Sequence, residues 1–247
     1  MTEPPALGAG DRLDFANPLS ADRADRMVAR LAAARPSTVV DYGCGWGELL
    51  LRVLDRCPRA RGTGLDVHGP DIERARRAAR DRGLDGRVEF VEGSAADHRT
   101  PADAVISLGA YQAFGTTVEA LEALAGRVKP GGRLLFGAEV WTVPPSPERL
   151  AHMWAGASTD EFLALATLAD VPVAAGFRLL RVETATLDEW DAFEFGLTED
   201  VEEWLLANPT GPHAAGLRSE LDGMHHRYLH GTRGVLGLAY LTLGRRG

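Results

Sequence analysis

Four residues at alternate positions follow a β-branched run in the first quarter of the chain: Asp41, Gly43, Gly45 and Gly47. Glycine lacks a Cβ, so it permits a sharp turn and lets a ligand approach the backbone. We expect Gly43 to form the turn and Gly45 and Gly47 to leave room for the ligand. A dinucleotide fingerprint, G-x-G-x-x-G, would need glycine where this chain has Glu48. The spacing D-x-G-x-G-x-G instead predicts a strand–turn–helix that carries an adenosyl ligand.

A second carboxylate, Asp66, ends the next strand-like segment, Gly62–Leu65. It follows the glycines at the distance expected for an acid that accepts hydrogen bonds from two ribose hydroxyls. Val67 directly follows it and is expected in the same site. The alternative for Asp66 is a helix N-cap before Pro70.

A third carboxylate, Glu139, stands at the end of a mainly apolar strand-like segment and is followed by Val140 and Trp141. A carboxylate in such a strand is costly unless it is paired or functional. We therefore expect Glu139 to bind the substrate or remove a proton from it. A salt bridge to an arginine is the alternative.

The elements that position these acids alternate between strand and helix, which predicts a mostly parallel sheet with helices on both faces. Hydrophobic patterns and breaker residues place the strands at about 37–42, 62–66, 87–92, 103–108, 132–140, 177–184 and 235–243. The same patterns place helices at about 20–34, 47–56, 70–82 and 116–128. Residues 1–16 read as a loosely held arm.

The segment 186–233 is longer than a minimal sheet requires, and it carries helical patterns at about 187–207 and 213–230. A structureless loop of that length would be unusual. We expect a helical cap over the carboxyl ends of the strands, where open α/β sheets bind ligands. The chain then forms one domain over 1–247: an N-terminal arm and helix over 1–36, a core sheet over 37–185 and 234–247, and the cap over 186–233.

The ordered motifs at the strand ends resemble those of class I S-adenosylmethionine-dependent methyltransferases, with D-x-G-x-G-x-G as motif I. The resemblance spans about 37–140. It implies a doubly wound, seven-stranded Rossmann-like α/β fold, S-adenosyl-L-methionine as cofactor and methyl transfer to a small-molecule acceptor. The closing segment Gly231–Gly237 also resembles a broad group of bacterial members of this family.

The resemblance also assigns the loops after the third and fourth strands. The loop with Ser94 and Ala95 would contact adenine, although an acid often stands at the position of Ser94. Recognition is then open between Ser94, Asp97 and the backbone amide of Ala95. The backbone from Ser107 through Leu108 to Gly109 would follow the methionine part of the cofactor.

Tyr111 follows this strand in place of the Asn/Asp-Pro-Pro-aromatic motif of nucleic-acid amine methyltransferases. The resemblance therefore disfavours methylation of DNA or RNA bases, and it places Tyr111 beside Gln112 at the acceptor. Packing beneath the cap is the alternative for Tyr111.

The composition limits the partners and the compartment. The net charge of −8 argues against nucleic acid or an anionic membrane surface as main partner. Cys44 and Cys57 form neither metal spacing nor a disulfide framework, and no metal site is expected. The first residues lack a signal-peptide pattern, so we expect a cytoplasmic protein that acts on small molecules, with a homodimer as one possible state.

Methyl transfer by direct displacement needs alignment of the acceptor and exclusion of water. A general base is needed only when the acceptor keeps its proton at neutral pH. Two other functions stay open at this point. One is a cofactor-binding module without catalysis, and the other is an enzyme that uses S-adenosylmethionine for chemistry other than methyl transfer.

Overall fold

Seven strands form one sheet in the order β3-β2-β1-β4-β5-β7-β6, in which β7 alone runs antiparallel to its neighbours. The computed structural model describes residues 3–247. Its strands are β1 Thr38–Tyr42, β2 Arg61–Asp66, β3 Val88–Glu92, β4 Ala102–Leu108, β5 Val128–Trp141, β6 Phe177–Thr184 and β7 Leu236–Arg245. The expected Rossmann-like α/β fold is confirmed.

The helices that connect these strands cover both faces of the sheet. They are α1 Ala21–Ala33, α2 Glu48–Arg56, α3 Gly69–Asp81, α4 Thr117–Ala125, α5 Pro147–Ala151, α6 Leu165–Ala174, α7 Leu187–Gly196, α8 Glu199–Ala207 and α9 Ala214–His226. A 3₁₀ turn spans Tyr111–Phe114 after β4, and a π-helical turn spans Arg227–Thr232 after α9.

Two apolar layers hold the sheet between the helices, and β1 contributes to both. Val39 packs in the layer with α1, α2 and α3, whereas Val40 packs in the layer with α4 and α6. Successive residues of a strand point to opposite faces, so a strand that is buried on both sides is apolar throughout. Parallel strands end together, and this places the ends of β1, β2, β3 and β4 along one edge.

Side-chain caps fix where several helices begin. Ser20 accepts a hydrogen bond from the Arg23 amide and starts α1, as expected from the sequence. A reciprocal capping box between Thr186 and Glu189 starts α7. These caps set the position of both helices relative to the strand ends.

The structure corrects two expectations about regular elements. The helix expected over 187–207 is two helices, α7 and α8, which are separated by Leu197 and Thr198. The helix expected over 116–128 ends at Ala125, and β5 begins at Val128 rather than at position 132.

The arm over 1–16 is not loosely held where it is described; its residues 1 and 2 lie outside the described residues. Leu7 packs with the apolar cluster of α8 and α9. Arg12 forms ion pairs with Glu199 and Asp200 at the start of α8. The arm is therefore attached to helices that lie far from it in sequence.

Candidate functional site

The glycine turn after β1 contains three residues with a left-handed backbone, Gly43, Gly45 and Gly47. Gly43 has φ +72° and Gly45 has φ +51°, a region that side-chain-bearing residues rarely adopt. A Cβ on Gly43 would collide with Ala110, and a Cβ on Gly45 would lie 3.1 Å from the Cβ of Ala16. Both positions therefore require glycine for the turn and for close approach of neighbouring backbone.

Gly47 makes room for a side chain beneath the turn. A Cβ on Gly47 would lie 2.6 Å from the Phe90 ring and 3.1 Å from the Cβ of Ala75 in α3. Gly47 therefore lacks a side chain because Phe90 and Ala75 pack against it. The sequence had instead suggested clearance for a ligand.

Asp66 joins the ends of β1 and β2. Its Oδ2 accepts a hydrogen bond of 2.8 Å from the Gly45 amide, and its Oδ1 accepts one of 2.9 Å from the His68 amide. A carboxylate oxygen has two lone pairs, so each oxygen can accept one further hydrogen bond. This arrangement fits a role toward vicinal hydroxyls and differs from the N-cap alternative, because no side chain caps α3.

A cleft of about 320 Å³ opens beside these residues and is called the glycine-loop cleft. Its walls come from the ends of β1, β2, β3 and β4 and from the arm. They include Gly43, Gly45, Asp66, Val67, Ala95, Leu108 and Gly109. Seven of the eleven expected cofactor residues therefore meet at one cleft.

The loop after β3 presents Ala95, rather than the Ser94 side chain, to the glycine-loop cleft. The Ser94 hydroxyl accepts a hydrogen bond from the Ala96 amide and closes its own turn. Arg127 donates to the carbonyls of Ala95 and Ala96 at 2.8 and 2.9 Å. Of the three alternatives left open by the sequence, the backbone of Ala95 has the position that suits ligand contact.

The end of β4 places Gly109 at the glycine-loop cleft and buries the Ser107 side chain. Ser107 Oγ has no hydrogen-bond partner within the described residues, and it lies on the opposite sheet face from Ile106 and Leu108. Gly109 has φ +64° and a Cβ there would lie 3.1 Å from Asn17 Oδ1. Close approach at the strand end is therefore made through Gly109.

Asp41 faces a small enclosed space behind the turn, called the Asp41 cavity, that is also lined by Phe15, Asn17 and Leu108. Burial, and secondarily the charge of Asp66, raises the pKa of Asp41 to about 7. No hydrogen bond or ion pair of its carboxylate is present within residues 3–247. A cationic group in this cavity would relieve the cost of its charge.

The arm covers the glycine turn, and this cover was missed by residue-level reasoning. The Trp46 indole donates to the Asp14 carbonyl at 2.7 Å. Arg74 stacks 4.1 Å over the Trp46 ring and donates to the carbonyls of Gly10 and Leu13. The Trp at position 46, inside a glycine-rich turn, is the signal that a covering segment was needed.

Ala16 and Asn17 form the part of the arm that lines the glycine-loop cleft. The hydroxyl of Tyr240 in β7 donates to the Pro18 carbonyl at 2.8 Å and holds this segment against the sheet.

Glu139 and Tyr111 lie together at the ends of β5 and β4. Burial raises the pKa of the Glu139 carboxyl, and a hydrogen-bond contact with Tyr111 lowers it in part. Burial and the charge of Glu139 raise the pKa of Tyr111 to about 12. Glu139 Oε2 is buried without a hydrogen-bond partner among the described residues, and no arginine pairs with it there.

Tyr111 is buried in the apolar layer with Phe136 and α4, so it packs within the sheet layers rather than beneath the cap. Glu139 lies on the opposite face of the sheet, because it pairs with Leu238, which packs in the layer of α1, α2 and α3. Tyr111 therefore contacts Glu139 around the edge of the sheet rather than across an open cleft.

No helix among residues 3–247 is long and apolar enough to cross a bilayer. Over the same residues, no group of three or more His, Cys, Asp or Glu side chains is arranged to hold a metal ion.

A family model described as a methyltransferase domain matches residues 39–132 of this chain. The Escherichia coli protein YjhP, itself uncharacterized, is 31% identical over 224 residues, which cover 87% of this chain and 88% of YjhP. A Geobacter sulfurreducens S-adenosylmethionine-dependent methyltransferase, solved with S-adenosyl-L-homocysteine, superposes with a TM-score of 0.86 at 28% identity. The superposition covers 97% of this chain and 96% of that one.

Two relatives have names that include an acceptor. Demethylmenaquinone methyltransferase of Thermus thermophilus is 34% identical over 145 residues, which cover 56% of this chain and 63% of that protein. Trans-aconitate 2-methyltransferase of Streptomyces avermitilis is 33% identical over 106 residues, which cover 41% of this chain and 38% of that protein. Both matches span less than two thirds of the relative.

Proposed function

Because the chain belongs to the class I S-adenosylmethionine-dependent methyltransferases, we propose that it methylates a small-molecule acceptor. The proposal rests on the position of the arm, which lies over the strand ends. Ala16 lies against Gly45 and Asn17 against Gly109. An acceptor that reaches the end of β4 must therefore enter a cleft of small-molecule size beside the arm.

The residues at the strand ends fit S-adenosylmethionine. Asp66 offers free lone pairs at the rim of the glycine-loop cleft, and Gly45 and Gly109 are positions where a side chain would crowd the arm. Asp41 supplies a buried carboxyl without a counter-ion in the described residues, and a cationic ligand would favour its ionised form. Two carboxylates and bare backbone suit a nucleoside that carries positive charge.

When bound, S-adenosylmethionine supplies an electrophilic methyl group on a positively charged sulfur. The chain itself supplies position and shielding. Asp66 orients the sugar end through its carboxylate oxygens, and the backbone of Ala95 and Gly109 lies alongside the rest of the cleft. The arm excludes water from the strand ends, which favours displacement between aligned groups.

We further propose that Glu139 accepts the acceptor's proton where the acceptor is an alcohol or a phenol. Its Oε2 is buried without a partner in the described part of the chain, and burial raises its pKa. A base with a pKa closer to neutrality takes a proton more effectively in this role. Tyr111 holds the carboxyl from the other side and is a positioning residue.

The experiment is incubation of the purified protein with methyl-labelled S-adenosylmethionine and a cell extract separated into metabolites, nucleic acids and proteins. Label is expected in the metabolite fraction, in a product heavier by one methyl group than its precursor. Label found only in nucleic acid or protein would contradict the small-molecule proposal.

A further inference from the structure

A second cleft, of about 460 Å³, lies between the arm, α1 and α7, and is called the arm–helix cleft. Its apolar wall consists of Leu13, Phe15, Leu19, Ala192 and Phe193. Its volume lies in the range of small-molecule sites.

Asn17 is the point where the clefts meet. It lines the arm–helix cleft, the Asp41 cavity and the glycine-loop cleft, and Phe15 and Leu19 line the first two. Its Oδ1 lies beside Gly109 at the end of β4, and its side-chain amide has no hydrogen-bond partner among the described residues. The segment 15–19 is therefore a thin wall between the arm–helix cleft and the strand ends.

Two buried polar atoms without partners in the described residues belong to the same side of the sheet. Glu139 Oε2 is one, on the face where Tyr240 holds Pro18. Trp190 Nε1 is the other, on α7, and its ring packs against the apolar layer of that face. Burying an unpaired polar group is costly unless a partner compensates it.

We propose that the arm–helix cleft binds the body of the methyl acceptor and that the acceptor is an aromatic molecule without net negative charge. The inference rests on the proposed function, because it takes methyl transfer to a small molecule as given. The apolar wall binds the ring, and the acceptor's hydroxyl or amino group extends past Asn17 toward Gly109.

The charged side chains around the arm–helix cleft indicate which class of acceptor it binds. Arg23 is neutralised by Glu189 at 2.9 Å. Arg26 lines the cleft without an ion-pair partner among the described residues, and the three carboxylates Asp14, Asp22 and Asp188 line it too. Asp14 also lies 3.7 Å from Arg52, outside the cleft.

The remaining groups thus carry excess negative charge, in a chain whose net charge is −8. An anionic acceptor would be repelled at this mouth, whereas an uncharged or cationic one would not. Of the two acceptor chemistries in the names of the relatives, the charge favours the ring compound over the polycarboxylate.

The test compares two probes that share a ring and differ in charge, 1-naphthol and 1-naphthoate. Calorimetry first measures S-adenosylhomocysteine binding, and failure of that step would contradict the proposed function itself. The probes are then titrated into protein saturated with S-adenosylhomocysteine, with ligand-detected NMR as the readout. We expect 1-naphthol to bind at least about tenfold more tightly than 1-naphthoate at neutral pH.

Two variants of α7 locate the bound probe. Phe193→Ala removes a ring from the cleft wall and is expected to weaken 1-naphthol binding by roughly tenfold, with S-adenosylhomocysteine affinity unchanged. Phe195→Ala is the matched control, because Phe195 is exposed on the same helix and contacts His225 and Tyr228 instead. Equal losses in both variants would overturn the location of the site.

A charge variant tests the class of acceptor directly. Asp22→Asn combined with Asp188→Asn is expected to raise 1-naphthoate affinity and to leave 1-naphthol affinity within about twofold. Equal binding of the two probes to the unmodified protein, or binding of neither, would overturn the proposal.

Discussion

The Gly45 amide donates a 2.8 Å hydrogen bond to Oδ2 of Asp66, which ties the turn after β1 to the end of β2. The second oxygen of the same carboxylate holds the His68 amide. Asp66 thus shapes the glycine-loop cleft as well as facing it. A change at this position acts on both the ligand contacts and the position of the turn.

Asp66→Ala is expected to weaken S-adenosylhomocysteine binding. Loss of charge-assisted hydrogen bonds costs roughly 1.5–3 kcal/mol, or about 10- to 150-fold in the dissociation constant. Calorimetry measures the effect, with Glu73→Ala on the exposed side of α3 as the control. Unchanged affinity in a folded Asp66→Ala protein would contradict the ribose assignment.

Asp41→Asn is expected to stabilise the ligand-free protein at high pH. Burial raises the pKa of Asp41 to about 7 from an ordinary 3.8, so the folded chain binds more protons than the unfolded chain between these values. The free energy of unfolding therefore falls as pH rises through that window, by up to about 4 kcal/mol. A neutral asparagine removes this loss.

Urea denaturation at pH 5 and pH 8 measures the difference in the free energy of unfolding between Asp41→Asn and the unmodified protein. The exposed Asp85→Asn is the control. A stability difference that does not grow between the two pH values would contradict the prediction that Asp41 ionises while buried.

Glu189→Gln is expected to destabilise the protein at neutral pH. Burial alone would raise the pKa of Glu189. Hydrogen bonds from Arg23, Ser20 and the Thr186 amide outweigh this effect and lower the pKa to about 2. Because the folded-state pKa lies below the unfolded value of 4.5, the stabilisation is complete above about pH 4.5 and is lost as pH falls toward 2. The shift corresponds to about 3 kcal/mol.

Denaturant unfolding at pH 7 and at pH 3 tests this expectation, and the deficit of the variant should shrink at the lower pH. Asp188→Asn, one residue earlier and exposed, should behave like the unmodified protein. A deficit that is the same at both pH values would show that Glu189 acts through packing rather than charge.

Glu139→Gln is expected to lower turnover by roughly 10²- to 10⁴-fold for an acceptor that must lose a proton. Only ionised Glu139 can accept that proton, so turnover of the unmodified enzyme should rise with pH through the raised pKa of this group. The variant should lose this rise and keep its S-adenosylhomocysteine affinity. Glu161→Gln, whose carboxylate also affects Tyr111 but is exposed, is the control.

Local patterns predicted the fold well where the decisive interactions are local. The β-branched run before Asp41 and the acid after Gly62–Leu65 lie near the ends of β1 and β2, because an apolar, β-branched run is typical of a buried parallel strand. The same logic brought Gly43, Gly45, Asp66 and Gly109 to one edge.

Contacts between distant residues were not predictable in this way. Nothing near the arm indicates that Trp46 and Arg74 bind its carbonyls, and nothing near Gly47 indicates that Phe90, 43 residues later in the chain, packs against it. The Ser94 hydroxyl accepts a hydrogen bond from the Ala96 amide of its own loop, as short polar side chains often do. Side-chain direction at such places depends on tertiary packing.

The apolar cluster of Val201, Trp204, Leu205, Ala214 and Leu221 is separate from both layers of the sheet, and Leu7 of the arm packs onto it. A small cluster of this kind opens at a lower free energy than the sheet, as one cooperative unit. We expect amide hydrogens of the arm, α8 and α9 to exchange together and faster than those of β1 and β4. Since the arm covers the glycine-loop cleft, that local opening would set the residence time of whatever is bound beneath it.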